Sequence, residues 1–244
     1  MRSSPSRRSE LDALGAVPFA HRGFHGGARV ENSNGAFRAA AEAGYGIEMD
    51  VQLSRDGWAM VFHDDRLDRL TNKSGPLADL TATELRSIRL YTSNEVMPTL
   101  GEALEIIGSR VPVLIEVKAS GRHVAPLCEA VARALEGYAG PVGVMSFNPE
   151  VGRWFARHAP GRLRGLVVSE HGKKGLRGRV ERPLALWRSR ADFLAYDIRD
   201  LPSPFASAAR ARSLEVFTWT VRSEAERARA ALHADQIIFE MPPA

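Results

Sequence analysis

Five residues that can do chemistry stand at the ends of short apolar runs. Val17–Ala20 leads into His21, Arg22 and Gly23; Ile47 leads into Glu48, Met49 and Asp50. Ala59–Phe62 leads into His63 and Asp64, and Val113–Ile115 leads into Glu116, Val117 and Lys118. Glu48 and Asp50 are two apart, so on a strand they project from one face. An unpaired charge is costly to bury. Three converging carboxylates therefore call for a hard divalent cation, Mg²⁺ or Ca²⁺, with pairing to Arg22, Lys118 or surface arginines as the competing explanation. An imidazole titrates near neutral pH, so His21 and His63 can act as general acid and base. Arg22 suits bidentate contact with a phosphoryl group, and Lys118 can neutralise charge there. Together the set fits hydrolysis of a phosphate diester: one histidine deprotonates the nucleophile and the other protonates the leaving alkoxide. Either histidine alone would read as a hydrogen-bonded core residue; the pair beside the carboxylates favours catalysis. Trp219, in the run Val216–Val221, suits stacking on an alcohol or headgroup, and a core role fits it equally. The chain has no His-x-His or His-Glu-x-x-His, which argues against a His-rich transition-metal hydrolase.

The elements that must position these residues follow from apolar patterning. Strands are expected at 17–21, 46–52, 58–63, 112–117, 142–147, 163–168, 192–196, 215–220 and 236–239. Helical patterns fall at Asn34–Ala43, Thr81–Ile88, Thr99–Ile107, Val124–Leu135, Pro149–His158, Pro204–Ala211 and Ser223–Leu232. Thr81 with Glu84, and Thr99 with Glu102, have the spacing of capping boxes. Residues 53–57 are too short for a parallel crossover, which needs about a dozen residues. Asp56-Gly57 is a hairpin signal, so 46–63 reads as a long strand folded back on itself. The other eight strands make an α/β fold, a (β/α)8 barrel armed at its C-terminal face. No helix follows the last strand; Leu11–Leu14 or the N-terminal arm is expected to cover the gap. An open doubly wound sheet is the alternative, weakened by the absence of a Gly-rich phosphate fingerprint after the first strand.

Composition bounds the setting. The 244 residues match one such barrel, 44% are hydrophobic and the net charge is +4. One domain over 10–244 is expected, behind a disordered arm at 1–9. Lysines are confined to positions 73, 118, 173 and 174, so the basic character is carried by arginine. No nucleic-acid motif is present. The lone Cys128 cannot form an internal disulfide, which fits a reducing, cytoplasmic location. The polar start lacks the apolar core of a signal peptide, and no window is long enough for a transmembrane helix. The basic stretch 162–190 reads as a solvated loop at the active mouth, with attraction to a lipid surface as the weaker alternative.

At these residues the sequence resembles the glycerophosphodiester phosphodiesterase family. The resemblance is carried by AHRGFHGGARVENSNGAF at 20–37, GIEMDVQLSRDGWAMVFHDDRLDRLTNKSG at 46–75, MPTLGEAL at 97–104, LIEVK at 114–118, SFNP at 146–149 and FTWTVRSE at 217–224. It implies a barrel with a short helical insertion at about 64–98. It also implies Glu48, Asp50 and Glu116 as metal ligands, His21 and His63 as acid and base, and Arg22 with Lys118 at the phosphate. The implied reaction takes a small-molecule glycerophosphodiester to glycerol 3-phosphate and an alcohol, with a cyclic phosphate formed by a neighbouring glycerol hydroxyl on the way. Three departures stand out. Val30-Glu31-Asn32-Ser33 replaces Pro-Glu-Asn-Thr, Arg222 replaces the Asn after Trp-Thr-Val, and the C-terminal Thr-Asp becomes Phe239-Glu240. The last two are expected to affect headgroup choice rather than the core chemistry. The nearest rival keeps the machinery but acts on lysolipids, as lysophospholipase D and sphingomyelinase D-like enzymes do. A phosphate-ester-binding protein without turnover would lose a histidine or a carboxylate, and all five are present.

Overall fold

Eight apolar runs pair in parallel and close on themselves in the computed structural model, which describes residues 5–91 and 93–240. The strands are β1 (Phe19–Ala20), β2 (Gly46–Leu53), β3 (Ala59–Val61), β4 (Val113–Val117), β5 (Val142–Ser146), β6 (Leu163–Val168), β7 (Phe193–Asp197), β8 (Glu215–Val221) and β9 (Gln236–Phe239). Their order is β1-β9-β8-β7-β6-β5-β4-β2, with β1 paired to β2 to complete the ring. β3 is the exception: it runs antiparallel to β2, with Val51 opposite Val61. The expected (β/α)8 barrel and its hairpin extension are both present. The hairpin turns at Gly57, whose φ of 83° favours a residue without a side chain.

Register decides which side chains face inward. Asp50 lies opposite Glu116, and Glu116 opposite Met145. With a period of two, Phe19, Glu48, Asp50, Leu114, Glu116, Met145, Phe193, Phe217 and Ile238 all fall on the interior face. The lower interior is apolar and the upper interior is charged. The opposite faces of the strands, such as Ile47, Met49, Val113, Ile115 and Leu194, pack against the surrounding helices as the main core.

The helices are α1 (Pro5–Leu14), α2 (Asn34–Glu42), α3 (Ala82–Arg86), α4 (Leu100–Ile107), α5 (Ala125–Ala134), α6 (Pro149–His158), α7 (Leu176–Ser189), α8 (Pro204–Arg210) and α9 (Glu224–His233). Ser33 caps α2, and both expected capping boxes form, at Thr81 with Glu84 and at Thr99 with Glu102. The insertion at 64–98 holds a 3-10 turn and α3 over a small core of its own, built on Met60, Phe62, Leu67, Leu85 and Met97.

Two expectations need correction. The arm expected to be disordered at 1–9 is helical from Pro5 onward; residues 1–4 lie outside the described residues. Leu11 and Leu14, three apart, are fully buried with Phe19, Phe193 and Phe217, so α1 plugs the N-terminal end of the barrel. Arg7 ties that helix to Asp192 at 2.6 Å and to the carbonyl of Arg162 at 2.7 Å. Within 162–190 the strand expected at 163–168 forms β6, but the rest is not simply a loop: it supplies the fourteen-residue α7. Gly152 of α6 lets α7 approach closely; a Cβ there would lie 2.5 Å from the Ser189 carbonyl oxygen. No described helix is long and apolar enough to cross a membrane.

Candidate active site

The C-terminal ends of β1, β2 and β4 bring His21, Glu48, Asp50 and Glu116 together. One carboxylate oxygen from each of Glu48, Asp50 and Glu116 lies within 4.8 Å of the others, and all three residues are buried. That spacing lets one cation of 2.0–2.6 Å oxygen contact touch all three. The cations of this wall already serve the group. Lys118 Nζ donates to Glu116 Oε1 at 2.6 Å and lies 2.9 Å from Asp50 Oδ1. Arg22 Nε lies 3.2 Å from Asp50 Oδ2, and Asn32 donates to the same oxygen at 2.9 Å. Burial raises Glu48 well above the usual carboxylate range, and the negative charges of Asp50 and Glu116 push it further. Burial also raises Glu116, against the opposing pull of Lys118. At Asp50 burial is outweighed by Lys118 and Arg22, which bring the carboxyl down to about 2. Lys118 and Arg22 therefore cover Asp50 best, and the ionised form of Glu48 is the least compensated of the three. A hard cation would supply the missing positive charge, so the donor set fits one.

The His-Arg-Gly turn after β1 aims backbone as well as side chains. Arg22 has φ 57° and Gly23 φ 80°. A Cβ on Gly23 would come within 2.9 Å of Ala36, so the close approach of α2 needs glycine there. The turn points the Arg22 backbone N–H at Glu48 Oε2, 3.0 Å away.

Each expected catalytic histidine has a carboxylate on Nδ1. His21 Nδ1 lies 2.6 Å from Glu240 Oε1, and His63 Nδ1 lies 2.6 Å from Asp64 Oδ1. A carboxylate there holds the Nδ1–H tautomer and turns Nε2 toward the cavity. His21 Nε2 is 3.9 Å from Glu48 Oε2. Burial lowers the pKa of His21, and the bond to Glu240 only partly offsets it. Glu240, despite its own burial, is held well below the carboxylate range by His21 and Arg222. On the other side, Arg69 bridges Asp64 (2.6 Å) and Glu31 (2.7 Å), and Glu31 pairs with Arg22 at 2.7 Å. A continuous charge chain thus runs from His63 to Arg22.

The sequence alone gives no role to Asp64, Glu31 or Arg69, and places Glu240 at the headgroup rather than on a histidine. Two signals were available: Asp64 adjoins His63, and Glu240 ends the apolar run Ile237–Phe239 just as the other acids end theirs. The Phe239-Glu240 departure, expected to bear on headgroup choice, places Glu240 against His21. Arg222 sits behind it, 2.6 Å from Glu240 Oε2. His25 joins His21 and Glu240 in a second close group of possible ligand atoms.

A cavity of about 390 Å³ opens over these groups, lined by His21, Arg22, Glu48, His63, Glu116 and Lys118 on one side. Met145, Phe147, Trp219 and Ile238 add apolar lining, and Asp197, Arg199, Arg222 and Glu226 add further charge. Trp219 donates through Nε1 to the Ala195 carbonyl at 2.9 Å and meets Phe147 edge to face at 5.6 Å. It is thus both a packed residue and part of the cavity wall.

Comparison with known proteins agrees with this geometry. A Bacillus altitudinis glycerophosphodiester phosphodiesterase is 40% identical over 41% of this chain and 43% of its own. The chain thus matches less than half the length of that relative. The Bacillus subtilis (strain 168) protein YhdW is 29% identical over 91% of this chain and 93% of its own. A solved phosphodiesterase of Oleispira antarctica, in complex with the product sn-glycerol-3-phosphate, superposes with TM-score 0.81 at 25% identity, covering 93% of this chain and 94% of that one. The model of the glycerophosphoryl diester phosphodiesterase family matches residues 21–239, and the chain belongs to that family of phosphoric diester hydrolases.

Proposed function

We propose that this protein hydrolyses glycerophosphodiesters to glycerol 3-phosphate and an alcohol, with His21 and His63 as acid and base. The observation that carries the reading is the paired imidazoles, each with Nδ1 held at 2.6 Å by a carboxylate, lining one cavity with the buried Glu48 and Glu116, which Asp50 joins in a group of three carboxylates. The product bound to the Oleispira antarctica relative supports the same substrate class. Burial favours neutral His21, which suits the base. It takes the proton of the glycerol hydroxyl next to the esterified carbon. That oxygen bonds to phosphorus, the bond from phosphorus to the headgroup oxygen breaks, and His63 delivers a proton to the departing alcohol. Water then opens the cyclic phosphate: His63 takes the proton of water, and His21 returns its proton to the glycerol oxygen. No protein nucleophile is required. Arg22 and Lys118 lie where they can draw the phosphoryl group in, and Trp219 with Phe147 offers an apolar face to the headgroup.

Glu48, Asp50 and Glu116 would hold Mg²⁺ or Ca²⁺, which would polarise the phosphoryl oxygens. The test is release of glycerol 3-phosphate from glycerophosphocholine, beside lysophosphatidylcholine, with EDTA, Mg²⁺ or Ca²⁺. Metal-dependent turnover of the soluble diester is expected. Turnover of the lysolipid alone, or turnover untouched by EDTA, would overturn the reading.

A further inference from the structure

α7 has its apolar side turned the wrong way for a barrel helix. Gly178, Arg182, Ala185 and Ser189, spaced 4, 3 and 4 apart, form its inward face; Gly178 and Ser189 are buried and the Arg182 side chain is 12% exposed. Leu176, Val180, Leu184 and Trp187 recur at 4, 4 and 3, which places them on one stripe of a 3.6-residue helix. That stripe lies on the far side of the helix from the inward face, with Leu184 and Trp187 bordering a groove beside β6, and the four side chains are 79%, 60%, 58% and 77% exposed. Exposing four large apolar groups in one row is not a neutral choice for a surface helix.

The flanks are basic. Lys173, Lys174, Arg177, Arg179, Arg188 and Arg190 surround the stripe, and Glu181 is the acid among them. Arg177 is paired to Glu181 at 2.5 Å, and Arg188 to Glu150 of α6. Among the described residues Lys173 and Arg179 make no ion pair. Leucine and tryptophan on one face, bordered by arginine and lysine, is the pattern of a helix lying in a membrane interface. Anionic headgroups would meet the basic border while the stripe enters the acyl boundary.

Position links the helix to the cavity. A groove beside α7, lined by Phe147, Pro149, Val168, Leu184, Ala185 and Trp187 among others, shares Phe147 with the catalytic cavity. We propose that α7 seats the protein on anionic lipid bilayers, with the Leu176, Val180, Leu184 and Trp187 stripe inserted and the barrel mouth beside the surface. The bilayer is a docking surface here, and the catalytic residues play no part in holding it.

The test pairs the wild type with Leu184→Asp/Trp187→Asp, a double variant at exposed positions outside the catalytic machinery. Both are sedimented with phosphatidylcholine vesicles with and without phosphatidylglycerol. Trp187→Phe identifies the Trp187 contribution to any fluorescence blue shift. The wild type is expected to sediment with the anionic vesicles, less so at high salt, and to leave the neutral ones in solution. The double variant is expected to lose sedimentation while keeping its circular dichroism and its diester turnover. Equal sedimentation of the two proteins would overturn the proposal. So would a wild type that ignores vesicles, including one whose stripe instead holds two copies together by light scattering. Vesicle binding and diester turnover are read separately, so either can fail without the other.

Discussion

At the mouth of the barrel, β1, β2 and β4 bring His21, Glu48, Asp50, Glu116 and Lys118, whereas β5, β8 and β9 bring a second wall of apolar side chains, Met145, Phe147, Trp219 and Ile238, beside the charged Asp197, Arg199 and Arg222. The first wall is a network in which the charges, Glu48 excepted, are held by one another: Lys118 by two carboxylates, Arg22 by Asp50 and Glu31, His21 by Glu240 and His63 by Asp64. Below the second wall lies a packed apolar cluster that includes Leu14, Met145, Phe193 and Phe217. Buried ions are sustained only by partners, so losing one member of the first wall disturbs the rest. The second wall depends on shape, so its losses should be local and graded.

The sharpest break in that comparison is at the histidines. Removing a general acid or base typically costs about 100- to 10,000-fold. His21→Ala or His63→Ala should lose turnover on glycerophosphocholine to that extent, with the circular dichroism spectrum unchanged. If His63 is the acid, a substrate with a much better leaving group, such as a nitrophenol, should recover most of the His63→Ala loss and little of the His21→Ala loss. Near-wild-type rates in either variant would remove the acid/base assignment.

The next break is in stability. Leu14 is fully buried beneath the apolar wall, and Leu→Ala in a packed core costs about 2–5 kcal/mol. Leu14→Ala should shift the denaturant midpoint accordingly. Leu176→Ala, at a site 79% exposed, should stay within about 0.5 kcal/mol. Equal small effects would mean that α1 is not part of the folded unit.

The two walls also differ in how well they read from sequence. Charged residues at the ends of apolar strands are costly unless they work, so His21, Glu48, Asp50, His63 and Glu116 announced themselves, and the structure brings them together. Phe147 and Trp219 serve a core as well as a cavity, and only their position in the barrel separates the two. The eight parallel strands and the hairpin read well because their apolar runs are bounded by turn residues. α7 did not, because its inward positions are small or polar and its apolar ones face out. α1 failed for a related reason: its polar stretch is anchored by Leu11 and Leu14, whose burial depends on an aromatic cluster far along the chain. Glu240 was visible but read as a headgroup position, because nothing local says that the end of β9 returns to His21 at the end of β1.

That closure gives the third break. Glu240 touches no proposed reacting atom; it holds His21. A carboxylate behind a functional histidine is worth about 10- to 100-fold where it orients a metal ligand. Glu240→Gln should reduce kcat by a similar factor while leaving KM nearly unchanged, and Glu240→Asp should restore part of the loss. Arg222→Asn, one pair further out, should cost less than Glu240→Gln. If Glu240→Gln raised KM with kcat intact, Glu240 would belong with the headgroup after all.

The smallest expected effect belongs to the apolar wall. Trp219 meets Phe147 edge to face and is anchored through its indole N–H on Ala195. Aromatic contacts of this kind contribute about 0.5–1.5 kcal/mol beyond burial, or roughly 2- to 10-fold in binding. Trp219→Leu should therefore raise KM for glycerophosphocholine by a factor in that range and leave kcat nearly unchanged. For a diester with a small headgroup such as ethanolamine the change should be smaller, because less of the leaving group reaches the ring. Steady-state kinetics on the two substrates checks both statements. An equal loss of kcat on both would move Trp219 from the shape-dependent wall to the charged one, where misplacing one residue reaches the reacting groups.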